Sequence, residues 1–224
     1  MKSQNQTPST DTLKDRTHER LQELILTGDL VPGSKLLETQ VAARLDVSRA
    51  TLREAMIRLS EIGLLVNLPF RGTYIRKLDR VDLQEIYSFR TGLEKMAFQF
   101  GWDKRDLISL ADLQMRNERL CQTISDNDAF GAIMAELHLH DWCYELSGHS
   151  LLLQSWERLK PNLQFYFAMH QKAHDRAGPL RESHDEYIRL AKGDNLDEML
   201  RHLEDHMQQG LQNTQSFLDT TSPG

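Results

Sequence analysis

The sequence predicts a mainly α-helical chain in two parts: three short helices closed by a small β-hairpin, then an all-α helical bundle. Three observations lead there. Apolar residues recur at three- and four-residue spacing through most of the 224 residues. One stretch, 64–76, instead carries two short apolar runs around Pro69-Phe70-Arg71-Gly72, the pattern of a hairpin. Charge divides in the same place: residues 1–78 hold 12 Lys and Arg against 9 Asp and Glu, net +3, whereas the remainder nets −9.

Leu13 to Leu26 reads as the first helix, with Leu21, Leu24 and Ile25 on its apolar side and Gly28 ending it. Leu30-Val31-Pro32-Gly33-Ser34 is a turn. Glu38 to Leu45 is a second, short amphipathic helix, and only Asp46-Val47-Ser48 separates it from a third. Ser48 can cap that third helix by accepting a backbone N–H. Leu52, Ala55, Met56 and Leu59 make its apolar stripe, while Arg49, Thr51 and Arg53 lie off the stripe in the first turn and a half. Two short helices joined by about three residues are the helix-turn-helix signature. Taken alone, the third helix fits an ordinary amphipathic helix with a charged outer face equally well.

Leu64–Leu68 and Thr73–Arg76 read as the strands of the hairpin. Arg71 at its tip would reach a phosphate or the minor groove, and Gly72 would let the backbone approach closely. Residues 11–78 are thus a winged helix-turn-helix, preceded by a polar tail, 1–10, read as disordered. Between Arg44 and Lys77 seven cations face three acids, so the basic charge is local to the reading head, as a DNA footprint requires.

Residues 76–80 are a short charged connector. Across 79–224 helices are expected near 80–101, 104–124, 127–147, 150–170, 180–192 and 195–218. Gly101, Asp126-Asn127, Gly148, Ala177-Gly178-Pro179 and Gly193-Asp194 punctuate them. Six such helices form a bundle, whose interior suits a small ligand or metal. Eight of the nine histidines fall here. Glu136 and His140, four apart, share a helix face and could chelate one cation. His202 and His206 form a similar pair, and His184 lies on the helix between. Each also fits a surface or core-edge histidine, and periodicity does not choose among them. Cys121 and Cys143 lack metal-type spacing and suit free thiols in a reducing cytoplasm. No apolar run is long enough to span a membrane.

The runs Gly28-Asp29-Leu30-Val31-Pro32-Gly33-Ser34-Lys35-Leu36, Val41-Ala42, Val47 to Ala55, Gly63-Leu64 and Arg71-Gly72-Thr73-Tyr74-Ile75 resemble the GntR family of bacterial transcription regulators, in unbroken order. The resemblance implies DNA contacts by Ser48, Arg49, Thr51 and Arg53 on the recognition helix and by Arg71 and Gly72 on the wing. Ala50 departs from the side chain many members carry there, and Thr39 stands where some have Arg. The second half is similar to the all-helical FCD effector domain of the FadR subgroup. His140 before Ser147-Gly148, His184 in Ser183-His184-Asp185-Glu186-Tyr187-Ile188, and His206 in Leu203-Glu204-Asp205-His206-Met207 match its three metal histidines. Glu136 takes the place of the usual Asp. The resemblance implies a divalent metal, zinc or nickel, on Glu136, His140, His184 and His206, and a small carboxylate effector paired with Arg90. His149 replaces a usual Asn and is read as structural. His138, His170, His174 and His202 match nothing and are read as surface or structural.

The expected protein is therefore a homodimeric, cytoplasmic, ligand-responsive regulator, a repressor by family resemblance and not an enzyme. Two recognition helices would occupy successive major grooves of a palindromic operator in double-stranded DNA. The alternative is a metal-dependent hydrolase with an accessory winged-helix domain, its metal activating water. A winged helix serving protein contacts alone is a third reading.

Overall fold

A computed structural model describes residues 12–221; the tail read as disordered, 1–10, lies outside the described residues. The chain divides into two compact units between Lys77 and Leu78.

In the first unit, helix α1 (Leu13–Leu26) starts at a capping box in which Thr12 and Asp15 satisfy each other's backbone N–H. The Asp15 carboxylate also accepts from Arg58 at 2.8 Å, tying α1 to the third helix. Helix α2 (Glu38–Leu45) ends at Asp46, which takes the left-handed conformation at φ 54. Aspartate tolerates that region, so the turn needs no glycine. Helix α3 (Arg49–Glu61) ends where Gly63 turns left-handed at φ 79 and Leu64 N–H bonds back to Leu59 O at 2.8 Å. That capping bond draws Leu64 out of the expected strand, so the hairpin comprises β1 (Leu65–Leu68) and β2 (Gly72–Ile75), antiparallel with Leu65 opposite Ile75. Leu36 N–H and Ile75 N–H, bonded to Thr73 O and Ser34 O at 2.9 Å each, clip the turn segment to the outer edge of β2. Leu21, Leu52, Leu59 and Leu64 are fully buried beneath. These are a helix-turn-helix and a wing on one apolar core.

The second unit is helical throughout its described residues: α4 (Arg80–Gly101), α5 (Leu107–Ser125), α6 (Ala129–Ser147), α7 (Ser150–His174), α8 (Arg181–Lys192) and α9 (Leu196–Thr221). The expected start of α5 near 104 moves to Leu107. Asp106 and Ser109 form a capping box that sets it, and Trp102–Lys104 make a separate 3-10 turn. Helix α7 runs past its expected end, through Pro161, to His174, where Asp175 in the left-handed region ends it. Helix α4 packs against α6, α7 and α9. Helix α6 is buried around most of its circumference, from Ala132 and Ile133 to Trp142 and Tyr144. A polar side chain on α6 must therefore find its partners inside the protein. Both cysteines are free, and among the described residues no helix is long and apolar enough to cross a membrane.

Candidate metal centre and nucleic-acid interface

In the first unit the structure places the expected contacts as follows. Ser48 caps α3, its Oγ accepting Thr51 N–H at 3.0 Å and lying 2.8 Å from Thr51 Oγ1. Both hydroxyls are thus engaged with each other at the helix start. Arg49 and Arg53 project outward with side chains 61% and 59% exposed, yet neither is unaccompanied. Arg53 Nε donates to Glu38 Oε2 on α2 at 2.8 Å, and Arg49 NH2 lies 3.7 Å from the same oxygen. Glu38 was not among the residues expected from the sequence; its tie to both arginines joins separate helices, and nothing in its local pattern announced it. Such an exposed pair contributes little stability, but it fixes where two long side chains start from.

The wing presents Arg71, exposed, beside Gly72 at φ 102. A side chain at Gly72 would be strained at that φ, and its Cβ would sit 3.0 Å from Lys35 Cε. Lys35, reached from the segment clipped to β2, so brings a further cation against the wing.

In the second unit Glu136 and His140 face the same way from α6, and His184 meets them from α8. Their donor atoms all lie within 4.8 Å of one another, and all three residues are buried. His184 Nε2 is 4.0 Å from Glu136 Oε1. His140 Nδ1 lies 2.7 Å from Glu94 Oε1 on α4, also fully buried. Burial works against the Glu94 charge, but His140 and Arg90 beside it hold the carboxyl well below its ordinary range. An ionised Glu94 takes the Nδ1 proton in a hydrogen bond and leaves His140 Nε2 as a lone-pair donor directed elsewhere. That nitrogen and His184 Nε2 are buried without hydrogen-bond partners. Burial keeps His140 and His184 neutral by lowering both pKa values, and pushes Glu136 up to about 7. Two neutral, unpartnered imidazole nitrogens and a buried carboxyl, close-set, are a donor set that a divalent cation of the zinc or nickel type fits. Glu94 would act behind His140 as the outer carboxylate that fixes tautomer and ring orientation.

His206 is placed less tightly. Its ring centroid is 6.0 Å from that of His184, with the rings nearly perpendicular, and it stacks on His202 at 5.6 Å. It stands beside the close-set trio rather than within it.

A pocket opens on this cluster, with Arg90 and Glu136 at its inner end and His206 on its wall. Arg90 is 3% exposed, its Nε 3.4 Å from Glu94 Oε2 and its guanidinium 5.1 Å from the Phe167 ring centroid. Arg90 Nε and NH2 have no hydrogen-bond partner. A buried guanidinium with unpartnered nitrogens on a cavity is able to receive an oxyanion.

His170, His174 and Arg176 also line this pocket. From the sequence the two histidines fit surface or structural positions, and nothing there singles out Arg176. Their spacing on α7 shows a shared face, but only packing against α9 reveals what it looks onto. His149, by contrast, is structural as expected: Nδ1 accepts Leu152 N–H at 3.3 Å to cap α7, and the ring packs on Phe100. His138 lies exposed.

Residues 13–75 match the family model of "bacterial regulatory proteins, gntR family", and residues 85–209 match the FCD domain. The uncharacterized HTH-type transcriptional regulator YdhC of Bacillus subtilis is 25% identical over 203 residues, 90% of this chain and 91% of its own. The gluconate operon transcriptional repressor of Bacillus licheniformis is 26% identical over 185 residues, covering 80% and 75%. Among solved structures, McbR/YncC of E. coli superposes with a TM-score of 0.71 at 22% identity, over 92% of this chain and 98% of that one.

Proposed function

The chain belongs to the gntR family of bacterial regulatory proteins, as a transcriptional regulator with an FCD domain, and we propose that its second unit holds a divalent metal and a small carboxylate that together set its affinity for DNA. Its relatives are regulators rather than enzymes, so the hydrolase reading is set aside. Glu136, His140 and His184 would hold the ion, with His206 completing the set, and zinc or nickel suits these donors. When bound, the metal supplies a positive pole for the acid. Arg90 would orient the carboxylate chiefly through NH2, which has no hydrogen-bond partner, and the Phe167 face packs the guanidinium in place.

One observation carries this reading: Arg90, buried and unsatisfied, opens on the same pocket as Glu136 of the metal trio. In the first unit, Ser48, Arg49, Thr51 and Arg53 would read the major groove, and Arg71 and Gly72 would follow the adjacent backbone. A homodimer would present two such helices to a palindromic operator. Repression is the mode, as in the gluconate operon repressor that the chain is similar to. The acid must bind the DNA-competent and DNA-released arrangements unequally.

The test uses zinc-loaded protein, duplexes from its own upstream region and a panel of small organic acids. At least one acid should raise the melting temperature and change duplex affinity, and both effects should vanish in Arg90→Gln. An acid panel that moves neither quantity would reject the reading.

A further inference from the structure

The effector pocket has a second cationic pole that the metal–Arg90 end does not use. Arg176, in the α7–α8 connection, lines the pocket and is more exposed than Arg90, so it stands nearer the mouth. Its NH1 donates to Gly178 O at 2.8 Å, which anchors the guanidinium within its own loop and leaves other N–H groups for the cavity. The acids that act on it electrostatically are Glu136, at the inner end, and Glu182. The segment entering α8 lines the same pocket through Pro179, Leu180 and Ser183, and the N-cap Leu180 offers no side-chain hydrogen bond to that helix start. The start of this twelve-residue helix carries partial positive charge, which Glu182 in its first turn offsets in part. His174 adds a buried, unpartnered Nε2, and its ring lies 4.4 Å from that of His170. Both imidazoles are kept neutral, chiefly by burial, so they contribute hydrogen bonds and not charge.

From these placements we infer that the effector carries two anionic groups, one for Arg90 and the metal and a second for Arg176 and the start of α8. The ligand class is a dicarboxylate or an equivalent dianion, bridging the pocket from floor to mouth. A monoanion would leave the outer pole unmatched. This rests on the carboxylate reading above and extends it to the number of charges recognised.

The experiment measures binding to full-length, zinc-loaded protein by titration calorimetry, comparing acids of equal carbon count. The pairs are propionate with malonate, butyrate with succinate, and valerate with glutarate. At least one diacid should bind roughly tenfold or more tightly than its monoacid partner, the scale of a charge-assisted hydrogen bond. Arg176→Gln should erase that preference while leaving monoacid affinity and zinc content unchanged. A purely structural Arg176 would instead lower both acids together. Equal binding of mono- and diacids, or a preference that survives Arg176→Gln, overturns the second pole and leaves the carboxylate reading standing. Failure of every acid to bind overturns both.

Discussion

His140 Nδ1 and Glu94 Oε1 meet at 2.7 Å with both side chains out of contact with solvent. The contact joins α4 to α6 and decides which imidazole nitrogen is available to the metal trio. Glu94 Oε2 lies 3.4 Å from Arg90 Nε as well, so one carboxylate touches both a member of the candidate metal trio and the arginine proposed to take the acid.

Glu94→Gln should therefore weaken zinc binding by roughly 10- to 100-fold, the usual cost of losing an outer-shell partner. Glu94→Ala should instead destabilise the fold by about 3–5 kcal/mol, because it strands a buried Arg90 charge. Competition with a chromophoric chelator measures the first, and chemical denaturation the second. Wild-type zinc affinity in Glu94→Gln would rule out the orienting role.

His184→Ala and His206→Ala should not behave alike. His184 belongs to the close-set trio, whereas His206 stands beside it, 6.0 Å away between ring centroids. Removing the first should empty the site, and removing the second should lower affinity with less loss of metal at saturation. Elemental analysis after dialysis against a weak chelator separates the two. Full metal content in both variants would refute the assignment.

Metal-stripped protein should lose stability in acid. His206 is depressed to about 4, mainly by burial, and burial likewise lowers His140 and His184. Each binds its proton more readily in the unfolded chain, so its contribution is complete above the ordinary imidazole value of about 6.5. That contribution drains away as pH falls toward 4, the folded value for His206. Glu136 opposes the trend: raised to about 7 by burial, it destabilises the fold progressively as pH rises from the carboxylate range toward neutrality. Three imidazoles against one carboxyl leave a net loss on acidification. Urea melts of chelator-treated protein from pH 7 to 4 should show it, and flat midpoints over that range would contradict it.

Alanine at both Arg49 and Arg53 should abolish shifting of the chain's own upstream duplex. Each arginine alone should cost about 1–3 kcal/mol if it reads a base edge. Glu38→Gln should do the opposite for arbitrary sequence, raising affinity for a scrambled duplex and steepening its salt dependence. Fluorescence anisotropy across a salt series measures both. A Glu38→Gln protein with unchanged affinity for scrambled DNA would remove Glu38 from the interface.

Much of the fold was legible because local chemistry marks it. Ser48 before Arg49, Gly63 after α3, and Pro69 to Gly72 between short apolar runs each state a boundary in the residues themselves. Where capping decided the matter otherwise, as with Leu64 or Asp106 with Ser109, the boundary moved by a few residues. The trio was half legible. Spacing put Glu136 and His140 on one face, while the choice of His184 came from family resemblance. Glu94, 46 residues from His140, had no such sign. His170, His174 and Arg176 were passed over because an i, i+4 pair shows a shared face but not its neighbour. Glu38 escaped for the same reason, since its partners sit on the next helix.

That Glu38 carboxylate bears on time as well as affinity. A regulator present in few copies must leave millions of irrelevant base pairs quickly. Two arginines already engaged by one acid offer a passing phosphate backbone less unbalanced charge. A guanine edge and a phosphate can each accept a guanidinium through two bonds, so either has to displace the carboxylate first. With Arg49 and Arg53 as the proposed DNA contacts, the internal ion pair would shorten each unproductive stop along the chromosome, so that the search would end sooner at the operator.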